Sequence, residues 1–178
     1  SVRSVADAAY QSSYEPPMAG VPEGFDPLAY MVDKAHDTTG GKARIDVHPL
    51  VLVYRVSTTD TPPPDHVLSL HPEWASEDFS GERFTQNRLY LDPGVPEVQD
   101  YLIDVFMEIV GNYDIDGFNL DTIRYNQADL GYNATALSYF HEFTGRTDRP
   151  PYTDPEWSEW RRGAITDFVR RMQANILK

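Results

Sequence analysis

Residues 113–125, YDIDGFNLDTIRY, place an apolar strand directly ahead of an aspartate. Side chains alternate along a strand. Phe118 and Leu120 therefore face one way, and Gly117, Asn119 and Asp121 the other. The first face suits a covering helix layer, and the second ends in a carboxylate at the strand's C-terminal end. This is the pattern of a parallel strand in a (β/α) barrel of the TIM type, whose catalytic groups gather at the C-terminal mouth.

The rest of the chain alternates strand, loop and helix. Asp26 and Pro27 open a helix with Leu28, Met31, Val32 and Ala35 as its apolar stripe, stopped by Gly40–Gly41. Ile45 to Val56 is β-rich, but Pro49 removes a ladder donor and bends or breaks it. Thr58 to Arg88 reads as a long polar loop holding His66, His71 and Trp74. Pro96 starts a helix that buries Val98, Leu102, Val105, Phe106 and Ile109. After the Asp121 strand, Asn133 caps a helix with Leu137 and Phe140 inward, ended by Gly145. Asp154–Pro155 opens the last helix, in which Trp157, Trp160 or Arg161, Ala164, Phe168, Met172 and Ile176 repeat at helical spacing.

This order predicts one α/β domain over residues 1–178, with parallel strands. Only three or four βα units are present, whereas a closed eight-stranded barrel takes about 250 residues. A piece of a longer barrel, an open α/β domain and a half-barrel completed by another chain all satisfy that count.

A net charge of −13 argues against nucleic acid and against an anionic membrane surface as partners. No apolar run has the length of a membrane span, and the first residues, SVRSVADAAY, lack the form of a signal peptide. Cysteine is absent, so thiolate chemistry and disulfides are excluded. His66 and His71, five apart, lack the further ligands a metal needs, and neither a metal nor a cofactor is expected. Eleven tyrosines, eight phenylalanines and three tryptophans supply rings for a core and for a sugar-binding cleft.

Several segments together resemble the glycosyl hydrolase-like 10 family of barrel proteins acting on polysaccharides, including bacterial wall glycans. They are DAAYQSSYEP (7–16), GFDPLAYMVDKAH (24–36), PPPDHVLSLHPEW (62–74), LYLDPGVPEVQDYLIDVFMEIVGNYDIDGFNLDTIRY (89–125) and DPEWSEWRR (154–162). The resemblance implies a glycoside hydrolase with a carbohydrate substrate, found outside the cell or in the periplasm. It also implies that the chain holds roughly the second, third and fourth strands of the barrel, completed by the missing barrel half or a second copy. Asp121 further resembles the nucleophile that follows DGF-x-x in α-amylase-like hydrolases. That group carries an arginine two residues earlier, where this chain has Asn119. The glycosyl hydrolase-like 10 pattern often has tryptophan two residues after a strand histidine, where His48 is followed by Pro49 and Leu50.

Glycoside hydrolysis takes two carboxyl groups across the scissile bond. Asp121 is the candidate nucleophile or base. Asp116, roughly 16 Å back along the same strand at 3.3 Å per residue, is too far to be its partner. Asp7, Glu15 and Asp92 are the other candidate carboxylates, with turn formation the expected duty of Asp92. Candidate substrate-binding residues are Asp7, Tyr10, His48, Tyr54, Asn119, Arg124 and Tyr125. His48 and Tyr54 serve one mouth only if the chain bends at Pro49. A non-catalytic carbohydrate-binding module on the same barrel is the competing reading.

Overall fold

The computed structural model describes residues 1–177. Its central unit is a parallel pair, β1 (Leu50–Leu52) and β4 (Asn119–Asp121), in the register Leu50↔Asn119, Val51↔Leu120, Leu52↔Asp121. A third parallel segment joins the other edge of β1 through an Arg3↔Val51 bridge. There the Val2 amide donates to Leu50 O at 2.9 Å and the Leu52 amide to Arg3 O at 3.0 Å. A separate antiparallel pair joins β2 (Arg55–Ser57) to β3 (Leu89–Tyr90). Among the described residues the sheets are two-stranded and no barrel closes, so three parallel segments stand where three or four units were expected.

Pairing in β1 begins one residue after Pro49, which has no amide to donate. The Pro49 carbonyl still accepts the Asn119 amide at 2.9 Å. Pro49 therefore marks the edge of the strand rather than its middle.

Helix α1 (Pro27–His36) lies between the first two parallel segments, with the Asp26 side chain accepting the Ala29 amide as its cap. Leu28 and Val32 are buried as the stripe predicts, but Met31 is 53% exposed. The buried face of this short helix is narrower than its apolar stripe. The expected Thr58–Arg88 loop contains a one-turn α2 (Val67–Leu70) and a 3₁₀ turn over Pro72–Trp74, and leads directly into β3. His66 caps α2 through Nδ1, while Nε2 meets the Val56 and Val5 carbonyls. It is a buried structural residue.

Helix α3 (Pro96–Asn112) is the main prop of the sheet. Val98, Leu102, Val105, Phe106 and Ile109 have no exposed surface. Burying each such side chain contributes about 1.5–3 kcal/mol. Phe106 meets Phe118 at 5.5 Å between ring centroids, so the Phe118–Leu120 face of β4 turns to the helices as alternation predicts. Helix α4 (Ala134–Thr144) starts at the Asn133 cap and ends at Gly145, whose φ of 74° suits glycine. Helix α5 (Pro155–Ile176) packs on α3 and buries Trp157, Arg161, Phe168 and Met172. Trp157 also closes a small second cluster with Tyr132 and Phe140, and stacks on Trp160 at 5.1 Å.

A buried ion pair ties the first parallel segment to the helix layer. The Arg3 guanidinium meets Glu15 at 2.7 Å, with both side chains all but excluded from solvent. It also donates to the carbonyls of Leu52 and Val53, and the Tyr101 hydroxyl donates to Glu15 at 2.8 Å.

Candidate functional site

Asn119 and Asp121 stand on the face of β4 opposite Phe118 and Leu120, and both are exposed. The Asp121 carboxylate accepts the amide of Thr122 at 2.6 Å. Thr122 has a φ of 54°. A β-branched residue in that region is strained by about 1–3 kcal/mol, and such strain clusters at functional sites. Its hydroxyl is buried and has no hydrogen-bond partner among the described residues. The chain thus leaves β4 through a strained turn that holds the aspartate at the strand's end.

The N-terminal approach to β4 is pinned separately. Asp116 accepts the Val47 amide at 2.8 Å and His36 Nε2 at 2.8 Å, and pairs with Arg44. The Val47 amide first, then the Arg44 and His36 side chains, hold its carboxyl well below the usual range. Asp116 is structural.

The other sequence candidates fall in different places. His48 is exposed, and its ring lies over Gly117, where an added Cβ would come within 2.5 Å of it. That puts His48 at the opposite end of the strand from Asp121, roughly 13 Å away at 3.3 Å per residue. Tyr54 is 1% exposed and packs on Phe168 at 5.7 Å. It does not line a cleft, because the chain changes course after Leu52. The Val53 amide still reaches Asp121 O at 2.9 Å, and Tyr54 then turns into the helix layer. Tyr10 is likewise a core ring, 4% exposed and edge-on to Tyr113 at 6.1 Å. Neither tyrosine can stack on a sugar in this conformation. Asp7 folds back on its own loop, accepting the amides of Ser4 and Val5 at 3.1 and 3.0 Å.

Arg124 is exposed, and its side chain has no ion pair among the described residues. It borders an open cleft of about 500 Å³ between the 123–128 loop and α5, lined also by Gln127, Arg161 and Arg162. Tyr125 lines the same cleft. Arg161 covers its ring at 5.3 Å, and its hydroxyl points at Asp92 Oδ1 at 3.5 Å. Burial first, then the Asp92 carboxylate, pushes its phenol well above the usual range.

Asp92 is fully buried and accepts the Gly94 amide at 2.9 Å and the Ser76 hydroxyl at 2.9 Å. Burial pushes its carboxyl up to about 6. It organises the turn, as the sequence predicts. Glu15 is held by Arg3 and Tyr101. None of Asp7, Glu15 and Asp92 is free to act as a second acid opposite Asp121.

Sequence reasoning missed Arg55, Arg88, Tyr90 and Asn126. Arg55 pairs across the hairpin with Tyr90, and the Asn126 side chain donates to the Tyr90 hydroxyl at 2.8 Å. That bond draws the loop after Asp121 against β3. Paired residues so far apart in sequence leave no local signal.

A family model described as Glycosyl hydrolase-like 10 matches residues 2–178. The chain belongs to the glycosyl hydrolase-like 10 family. Glycosyl hydrolase YngK of Bacillus subtilis is 27% identical over 188 aligned residues, covering 98% of this chain and 33% of its own length. Glycosyl hydrolase DigH of Escherichia coli is 30% identical over 168 aligned residues, covering 86% of this chain and 33% of its own length. The family member described here thus spans about a third of the length of these curated relatives. Among solved structures, alpha-L-fucosidase isoenzyme 2 from Paenibacillus thiaminolyticus superposes with a TM-score of 0.71 at 19% identity, over 96% of this chain and 23% of that one. A hypothetical protein from Ruminiclostridium thermocellum superposes with a TM-score of 0.59 at 17% identity, over 97% of this chain and 74% of that one. These two likenesses are of fold.

Proposed function

We propose that this glycosyl hydrolase-like 10 chain is a segment of a (β/α) barrel that cleaves O-glycosidic bonds in a polysaccharide, a bacterial wall glycan in the first instance. Asp121 is its nucleophile or base. The observation that carries this reading is an exposed carboxylate at the C-terminal end of a parallel strand, on the face away from the helices. Among the described residues, only the amide of its strained neighbour is bonded to it. Asn119, on the same face, and Arg124, beyond the turn, are the residues best placed to meet the substrate.

The acid that protonates the leaving oxygen comes from outside the carboxylates described above, from further strands of the barrel. The threefold greater length of the relatives supports this source. A second copy of the chain is the other source, and it predicts a dimer by light scattering.

That none of Asp7, Glu15 and Asp92 is free to face Asp121 also favours a second reading, in which the 178-residue chain binds glycan without cutting it. One experiment separates the two. Wall glycan is added to a barrel in which this chain is completed by the remaining strands, while reducing ends and tryptophan fluorescence are followed together. Quenching with release of reducing ends supports the hydrolase, and quenching without release supports the binding module. Neither signal would overturn both.

A further inference from the structure

Two arginines are buried among the described residues, and their surroundings differ. Arg3 is matched by Glu15 at 2.7 Å. Arg161 is 8% exposed and has no carboxylate within ion-pair distance among the described residues. Its guanidinium is fixed on one side. Nη1 donates to the Ala128 and Leu130 carbonyls, each at 2.7 Å, and the group lies over the rings of Tyr125 at 5.3 Å and Trp157 at 5.6 Å. The other edge carries Nε and Nη2. Nε is shielded from solvent and has no acceptor, and Nη2 makes no hydrogen bond among the described residues. The N–H bonds of that edge are parallel, the geometry with which a guanidinium grips an oxyanion twice. Burial lowers the Arg161 guanidinium from its ordinary value, while the Tyr125 and Tyr132 phenols and the Asp92 carboxylate act the other way. A buried charge with no contact partner is costly.

Arg161 lines the cleft of about 500 Å³ between the 123–128 loop and α5, together with Arg124 and Arg162, and no acidic residue lines it. The Arg124 side chain comes from the loop and is unbonded among the described residues. Arg162 follows Arg161 on α5 and pairs with the exposed Glu159. Ser158, one turn back on α5, brings a hydroxyl that is also unbonded among the described residues. In a chain of net charge −13, three guanidinium groups around one cavity reverse the local sign. A carboxylate offers two oxygens in one plane and a single charge. A phosphate monoester offers three terminal oxygens in a tetrahedron and close to two charges. Only the second matches donors arriving from both the loop and the helix. The cleft is also far larger than a bare phosphate, and Ile123 and Ile165 give it apolar walls, which suit an organic group on the ester.

We propose that this cleft binds the phosphate monoester of a small organic molecule, with Arg161 as its fork and Arg124 and Arg162 as flanking charges. Occupancy ties the loop that leaves Asp121 to α5. The proposal does not rest on the glycan reading.

The test is calorimetric binding to the barrel in which this chain is completed by the remaining strands. The probes are phenyl phosphate, inorganic phosphate, and benzoate, which sets a carboxylate on the same ring. Phenyl phosphate binds about tenfold or more tighter than benzoate, the scale of one charge-assisted hydrogen bond. It also binds more tightly than inorganic phosphate, through the apolar walls. Arg161→Lys keeps the charge, loses the fork and weakens phenyl phosphate by about tenfold. Arg161 also braces the 123–128 loop, so Arg124→Gln, at an exposed position, serves as the second variant and weakens phenyl phosphate to a similar degree. No binding of phenyl phosphate overturns the proposal. So does benzoate binding as tightly, or inorganic phosphate binding as tightly, which reduces the cleft to a plain anion trap. Affinity unchanged in Arg124→Gln overturns it as well. None of these readings involves glycan, so each stands whether or not Asp121 cleaves one.

Discussion

Asp92 should give the protein an unusual pH dependence. It is fully buried, and burial pushes its carboxyl from 3.8 up to about 6. Between those values the folded state keeps a proton that the unfolded chain has released. Stability is therefore greatest below the unfolded value and falls as pH rises through the folded one. At ~1.4 kcal/mol per pH unit, the loss over this window amounts to ~3 kcal/mol. The lowered carboxyls, Asp116 foremost, have the opposite sign and act below 3.8, so they do not mask the effect. Replacing Asp92 by Asn keeps one acceptor for the Gly94 amide, sets an NH₂ toward Ser76, and removes the titration. Urea unfolding followed by tryptophan fluorescence, from about pH 3 to about pH 7, measures both proteins. The stability of the native protein relative to Asp92→Asn should fall by ~3 kcal/mol across that range. A constant difference at every pH would refute the reasoning. The outcome bears on the site, because Asp92 faces Tyr125 and so touches the loop that carries Arg124.

Other consequences follow from particular contacts. Glu15→Gln leaves Arg3 charged and buried, and should destabilise the fold by about 3–5 kcal/mol, seen as a lower denaturation midpoint. Thr122→Gly relieves the positive φ and should raise stability by up to about 1–3 kcal/mol while loosening Asp121. A stability gain with unchanged glycan turnover would mean that the strain has no role in positioning the carboxylate.

Much of the fold was legible because its signals are local. The apolar spacing of α3 and the Asp–Pro and Asn caps of α1, α4 and α5 are written within single turns. Alternation along 118–121 correctly divided the core side chains from Asn119 and Asp121. It failed at Tyr54 because β1 ends at Leu52 and β2 runs in a new direction, so parity does not carry across the bend. The Thr58–Arg88 stretch hid α2 and the approach to β3 because elements of two to four residues leave no period to detect. The strain at Thr122 was invisible, since nothing in a threonine announces a positive φ. The meeting of Arg55 with Tyr90 depends on β2 pairing with β3, which is fixed by tertiary packing.

The catalytic role of Asp121 is tested most directly by removing its carboxylate and supplying another nucleophile. Shortening of wall glycan, followed by chromatography of the products, is measured for the completed barrel with the native chain and with Asp121→Ala, with and without added azide. If Asp121 is the nucleophile or base, the variant loses turnover, and azide restores it with formation of a glycosyl azide. Turnover that persists in Asp121→Ala without azide would contradict that role.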